Sequence, residues 1–191
     1  FHPDGDSAIE AAIAAMSAQG AEVVDVKVAT YNDWNTDEFE VLLYEFKDGL
    51  NAYFQSLGPA APIRLVEELI AFNERHADRE LKYFGQETLI EAQKKGPLTT
   101  PEYLEAKARC RKWSDTLAAV FAEKRLDAVV APTSGPAHAL DYVHGDRGMG
   151  GCSTYAAVSG FPHITVPCGQ VLGLPVGLSF YIFHAISYLV D

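Results

Sequence analysis

Two neighbouring runs, Gly160-Phe161-Pro162-His163-Ile164-Thr165-Val166-Pro167-Cys168-Gly169 and Gly173-Leu174-Pro175-Val176-Gly177-Leu178-Ser179-Phe180, carry the clearest order in the chain. His163 to Pro167 and Pro175 to Phe183 read as two strands, linked by Gly169 to Gly173. Each is a short run rich in apolar residues and bounded by Gly or Pro. Pro162 and Pro167 bracket the first strand and limit its hydrogen bonding. Gly173-Leu174-Pro175 sets a turn, and Gly177 lets the second strand come close to a neighbour.

Working back from that pair, Leu126 to Pro132 reads as a short buried strand leading into a loop. From Thr133 to Gly151 periodicity vanishes and Gly, Pro, His and Asp dominate, a composition typical of functional or mobile loops. Cys152 to Ser159 has room for one or two helical turns. Further upstream the pattern is helical. Thr99-Thr100-Pro101-Glu102 opens a long helix striped by Tyr103, Cys110, Trp113, Leu117, Val120 and Phe121, with Pro101 at its first position and Lys124-Arg125 near its end. Gln86 to Lys95 and Ile63 to His76 read as shorter helices. Asn35 to Leu57 has an apolar stripe of Phe39, Leu42, Leu43, Phe46, Leu50 and Phe54 at steps of three and four, and ends at Gly58-Pro59.

The first helix is expected to start at a capping box formed by Ser7 and Glu10 and to stop at Gly20 in a left-handed conformation. Val24, Val26 and Val28 then alternate with Asp25 and Lys27, which predicts a strand. No repeat, low-complexity tract or linker interrupts this order. The pattern predicts one continuous α/β unit over residues 1–191.

Bulk properties narrow the function. The 191 residues are 48% hydrophobic, which argues against disorder. The net charge of −11 argues against a nucleic-acid or anionic-membrane role. Leu174 to Val190 is uncharged but falls short of a bilayer span and contains Pro175 and Gly177. Phe1-His2-Pro3 opens the chain without Met, a basic segment or an apolar segment, so no signal peptide is expected in these residues. Cys110, Cys152 and Cys168 are odd in number and never spaced as C-x-x-C. That predicts free thiols in a reducing, cytoplasmic compartment rather than disulfides or structural zinc.

Candidate chemistry is sparse. Ser153 and Thr154 follow Gly148, Gly150 and Gly151, whose small size lets backbone approach a substrate. The surroundings are not G-x-S-x-G, and an N-cap is the simpler expectation for Ser153. His138, Asp141, His144 and Asp146 are all metal-capable types, but an irregular loop without H-E-x-x-H gives them no common face. Solvated or substrate-lining groups are the expectation there, and no metal or organic cofactor is expected. Cys168 sits among apolar strand residues, where a thiol is inert. Lys94-Lys95 and the Lys107 to Lys112 run read as solvated helix faces. Trp34 and Trp113 read as core or rim aromatics.

Several blocks together resemble the amidase signature family. The Gly160 to Gly169 and Gly173 to Phe180 runs resemble its C-terminal G-x-P-x-x-T-V-P-x-G and G-L-P-V-G-L strands. Leu126 to Thr133 resembles its preceding D-x-x-x-x-P-T strand. Tyr83-Phe84-Gly85-Gln86-Glu87 and Asp141 to Asp146 look most like the bacterial and fungal branch that includes peptide amidases. The resemblance covers about Ser7 to Phe180 and implies the C-terminal part of that α/β fold, a mixed β-sheet covered by helices. It implies hydrolysis of carboxylic amide C–N bonds by a Ser–cis-Ser–Lys triad, with backbone N–H groups holding the oxyanion. The family's G-G-S-S-G-G loop lies in its N-terminal half. No Ser-Ser dipeptide occurs in this chain, and no Lys follows Lys124.

The resemblance therefore implies a chain that supplies sheet and substrate pocket and is inactive alone. Asp141, Asp146, Gly151, Ser153 and Thr154 are the substrate-binding candidates, and no catalytic residue is assigned. The substrate implied is a small amide or peptide amide. Self-association through exposed core is the partner expectation. Thr88-Leu89-Ile90-Glu91 stands where the related glutaminyl-tRNA amidotransferase A subunits carry an Arg pair, which favours a general amidase. The tail 181–191 departs from the family's usual continuation. The alternatives are a non-catalytic binding or assembly protein reusing half the fold, and a metal hydrolase built on the His138 to Asp146 loop.

Overall fold

A computed structural model describes residues 3–28, 35–135, 141–143, 145, 151–171 and 174–182. Its contacts divide the chain into two compact units. Unit 1 comprises residues 1–31 and 111–191, and unit 2 residues 32–110.

Unit 1 is built on a three-stranded sheet. β1 (Ala128–Pro132), β2 (His163–Val171) and β3 (Leu174–Ile182) lie in the order β1-β3-β2, and both ladders are antiparallel. β2 does not stop at Pro167 as expected. The strand continues to Val171 because the register shifts between Pro167 and Gly169, and Cys168 is the extra residue. A bulge at an outer strand lets the ladder pass a residue without an N–H. Tyr181 and Ile182, the first residues of the atypical tail, belong to β3 and pair with Val129 and Ala128 of β1. Residues 183–191 lie outside the described residues.

Helix α1 (Pro3–Ala18) packs on this sheet. A Cβ on Gly169 would lie 2.8 Å from Ala8 Cβ, so the absence of a side chain at the bulge sets how closely α1 approaches β2. α1 starts at Pro3, not Ser7, and the capping box does not form. Ser7 lies inside the helix and its hydroxyl donates to Pro3 O at 3.1 Å. Pro3 fits the first helical position, and Asp4 and Asp6 suit the positive end of the dipole. The stop at Gly20 is as expected. Its φ is +98°, Gly20 N–H donates to Ser17 O, and Ala21 N–H donates to Met16 O, the paired bonds of a Schellman turn.

The expected strand at 22–28 is not formed. Among the described residues no ladder includes it, and residues 21–28 are irregular. Alternating valines mark a face that can be buried, but a strand also needs a neighbour to accept and donate its backbone bonds.

The second part of unit 1 comes from α6 (Pro101–Lys124), within which the unit boundary falls, and from α7 (Thr154–Ser159). Leu117, Phe121 and Cys152 form the buried cluster, with Val28, Leu126, Val129 and Phe161 packed around it. The Phe121 and Phe161 rings meet edge to face at 5.7 Å. α6 ends in a second Schellman turn, in which Leu126 N–H donates to Phe121 O and Arg125 takes a positive φ of 52°.

Unit 2 is helical: α2 (Asn35–Ser56), α3 (Val66–Arg75), α4 (Ala77–Glu80), α5 (Glu87–Gln93) and the first part of α6. α2 buries only part of the stripe read from its sequence. Leu43 and Tyr44 are buried, whereas Phe39, Leu42 and Phe46 are exposed. The inward face also carries polar groups. Lys47 Nζ donates to Gln93 O and Lys95 O, and Asn51 Oδ1 accepts the N–H of Val66. No helix among the described residues is long and apolar enough to cross a membrane.

Candidate functional site

The Gly-rich loop and β1 meet in unit 1. Ser134 and Gly151 form an antiparallel bridge beyond the end of β1. Beside it, Cys152 N–H donates to Thr133 O at 3.4 Å and the Cys152 thiol donates to Pro132 O at 2.5 Å. A Cβ on Gly151 would sit 2.9 Å from Thr133 O, closer than real Cβ contacts come. Gly151 is therefore required by the approach of two backbones. Thr133 Oγ1 reaches Thr165 Oγ1 on β2 at 3.4 Å, which extends the clasp across the sheet.

Next to the clasp lies a cavity of about 230 Å³. Val26, Val28, Leu117, Val129, Cys152 and Tyr155 help to wall it, and Gly151 and Pro132 also line it. Such a lining suits an apolar group, with backbone and hydroxyl groups nearby to orient it.

Ser153 occupies the N-cap position of α7 without capping. Its backbone is in the right-handed helical region, and its side chain makes no cap hydrogen bond. An N-cap residue normally adopts extended backbone so that its oxygen can turn back to the helix N–H groups. The Ser153 side chain is exposed and Thr154 half-buried. Asp141 Oδ1 accepts the N–H of Val143 at 2.9 Å, and Asp141 O accepts that of Gly145 at 2.9 Å. This Asx turn shapes the loop. Asp146, His138 and His144 lie outside the described residues. Of the substrate-binding candidates among the described residues, Gly151, Ser153 and Thr154 lie together at the start of α7, and Gly151 lines the cavity. Among the described residues no three His, Cys, Asp or Glu side chains gather as a metal site.

Cys168 is half-buried at the bulge, and burial pushes its thiol pKa up, which disfavours the nucleophilic thiolate. The basic groups expected to be solvated are partly engaged instead. Lys95 pairs with Glu40, Arg109 with Asp37, and Lys107 with Glu45 and Tyr103. Thr133, Cys152 and Tyr155 were not singled out by the sequence. Thr133 closes the D-x-x-x-x-P-T block and Cys152 directly follows the Gly run, so position was the available signal.

The chain matches the family described as Amidase over residues 1–181. The chain belongs to the amidase family. A probable amidase of Arabidopsis thaliana is 30% identical over 141 residues, 73% of this chain and 24% of that protein. The native peptide amidase of Stenotrophomonas maltophilia is 40% identical, with a TM-score of 0.81. A peptide amidase in complex with the competitive inhibitor chymostatin is 41% identical, with a TM-score of 0.86. Each of these two covers 93% of this chain, which spans 36% of theirs. A bacterial aryl acylamidase of the amidase signature enzymes, at 19% identity and a TM-score of 0.65, shares the fold. The α/β amidase signature architecture thus holds for this chain, which spans about a quarter to a third of the length of these relatives.

Proposed function

We propose that this amidase chain forms the sheet and substrate-pocket part of a peptide-amidase-like hydrolase, which cleaves a carboxylic amide C–N bond. The observation that carries the reading is the clasp of Pro132 and Thr133 with Gly151 and Cys152, which borders an apolar cavity one residue along the chain from Ser153. About 40% identity to peptide amidases supports the amide as the bond cleaved. The substrate is a small amide or a peptide amide whose apolar group enters the cavity. Asp141, Asp146, Gly151, Ser153 and Thr154 provide polar groups around it. Three cysteines, an odd number never spaced as C-x-x-C, fit action in the cytoplasm.

The reaction implied by the family is acyl transfer. A serine oxygen attacks the carbonyl carbon, the C–N bond breaks and the nitrogen leaves protonated. Water then attacks the acyl ester and releases the carboxylate. The nucleophile, bridging serine and lysine base come from outside these 191 residues, so the chain alone does not turn over.

Incubating the chain with a peptide amide and measuring ammonia tests this. The expected release equals the blank. Hydrolysis that survives Ser153→Ala and is stopped by a serine-directed fluorophosphonate would place a complete serine machinery in the chain and overturn the proposal.

A further inference from the structure

The cavity of unit 1 has a definite size and a definite chemistry. Its volume is about 230 Å³. Pockets for drug-sized ligands start at about 300 Å³, whereas an apolar cavity of about 150 Å³ stays dry and takes up benzene. A ring with a short substituent therefore fits, and a whole peptide does not. Among the described residues that line the cavity, none carries a formal charge. A charged group brought into it would stay unpaired, which is prohibitively costly. The occupant is therefore neutral and apolar. Two wall residues favour an aromatic ring over an aliphatic group. Tyr155 has an aromatic ring and Cys152 a sulfur, and the thiol proton is committed to the carbonyl of Pro132, another wall residue. Ring–ring and sulfur–ring contacts each add to plain area burial.

We infer that this cavity is a subsite for one neutral aromatic ring of the amide substrate. This rests on the reading that the cavity serves a substrate of an amidase. Amides that carry a phenyl or benzyl group are then the favoured class. Amides with an acidic or basic side chain cannot place that side chain here.

The test uses the full chain and three small probes, toluene, methylcyclohexane and phenylacetamide, and needs no turnover. Titration calorimetry gives the affinities, and mass spectrometry gives the rate at which iodoacetamide labels each cysteine. Toluene is expected to bind about fivefold more tightly than methylcyclohexane, the margin that ring contacts add beyond area. Phenylacetamide is expected to compete with it. At saturating toluene, labelling of Cys152 slows by at least about tenfold, because a bound ligand makes opening rarer. Cys110 and Cys168 do not line the cavity, so their rates change little. Ala131→Phe fills the cavity and weakens toluene binding by at least about tenfold, since the displaced ring loses its buried area. Protection of Cys152 in the unaltered chain locates the ring even where that variant fails to fold.

Four results overturn the inference: toluene that does not bind, binding that leaves the labelling of Cys152 unchanged, methylcyclohexane bound as tightly as toluene, or a folded Ala131→Phe chain that binds toluene as well as before. Toluene that binds and protects Cys152 without competition from phenylacetamide leaves the ring site standing and removes the reading that the cavity serves an amide.

Discussion

In unit 1 the buried cluster is Leu117, Phe121 and Cys152, joined to a hydrogen-bonded sheet. In unit 2 the helices are fastened as much by polar side chains aimed at specific backbone groups. Lys47 reaches two carbonyls near the end of α5, Asn51 accepts the Val66 N–H, and the buried Gln86 bonds Asn73 and Ile70 O. Tyr103 donates to Glu45 Oε1 at 2.6 Å and accepts from Lys107 at 2.7 Å. The difference separates two kinds of fragility. Unit 1 is sensitive to volume, because its stability comes from filled space. Unit 2 is sensitive to unmatched polar groups, because removing one partner leaves another half-buried.

The sharpest way to break this contrast is Phe121→Ala. With Phe121 only 2% exposed, the loss should be about 3–5 kcal/mol by denaturant unfolding. A loss under about 1 kcal/mol would mean that the unit 1 cluster is not its main support. Gly169→Ala should cost about 1–3 kcal/mol, since the new methyl meets Ala8 across the α1–β2 contact. Thermal unfolding of a Gly169→Ala, Ala8→Gly double variant should recover part of it. In unit 2, Lys47→Met keeps the stem but drops the donor, for a loss of about 2 kcal/mol. A neutral outcome would show that packing, not the ammonium, holds α2 against α5.

The smallest effect concerns acid. The Tyr103 hydrogen bond, then Lys107, holds the Glu45 carboxyl below its ordinary value against the opposing effect of burial. A depressed carboxyl contributes stability above its unfolded value and loses it as pH falls through the folded one. Glu45→Gln should therefore flatten the stability profile across that acid window and leave neutral pH little changed. Lys107 is raised by Tyr103 first and Glu45 second, so its contribution persists until pH rises through the lysine's folded value. An unchanged acid limb in Glu45→Gln would remove the Glu45, Tyr103 and Lys107 cluster from the account.

The sequence made the sheet hairpin legible because Gly and Pro punctuate it, and Gly20 and Pro101 act where their backbone preferences require. Other readings failed for physical reasons. Apolar period shows that a face can be buried, not which face is. α2 holds Leu43 and Tyr44 inward through polar anchors and leaves Phe39, Leu42 and Phe46 outward. Residues 22–28 have the right alternation but no partner in a ladder among the described residues. At the candidate site, Gly151 was legible as a small residue in a loop. The Cys152 bond to Pro132 was not, because it joins residues 20 apart that only the fold brings together.

That thiol gives the clasp a clock. Cys152 is buried, and its proton points to Pro132 O, so an alkylating reagent reaches the sulfur only when β1 and the start of α7 part. The slowest phase of thiol labelling then counts openings of the pocket wall, and a ligand that fills the cavity should lengthen the interval between them.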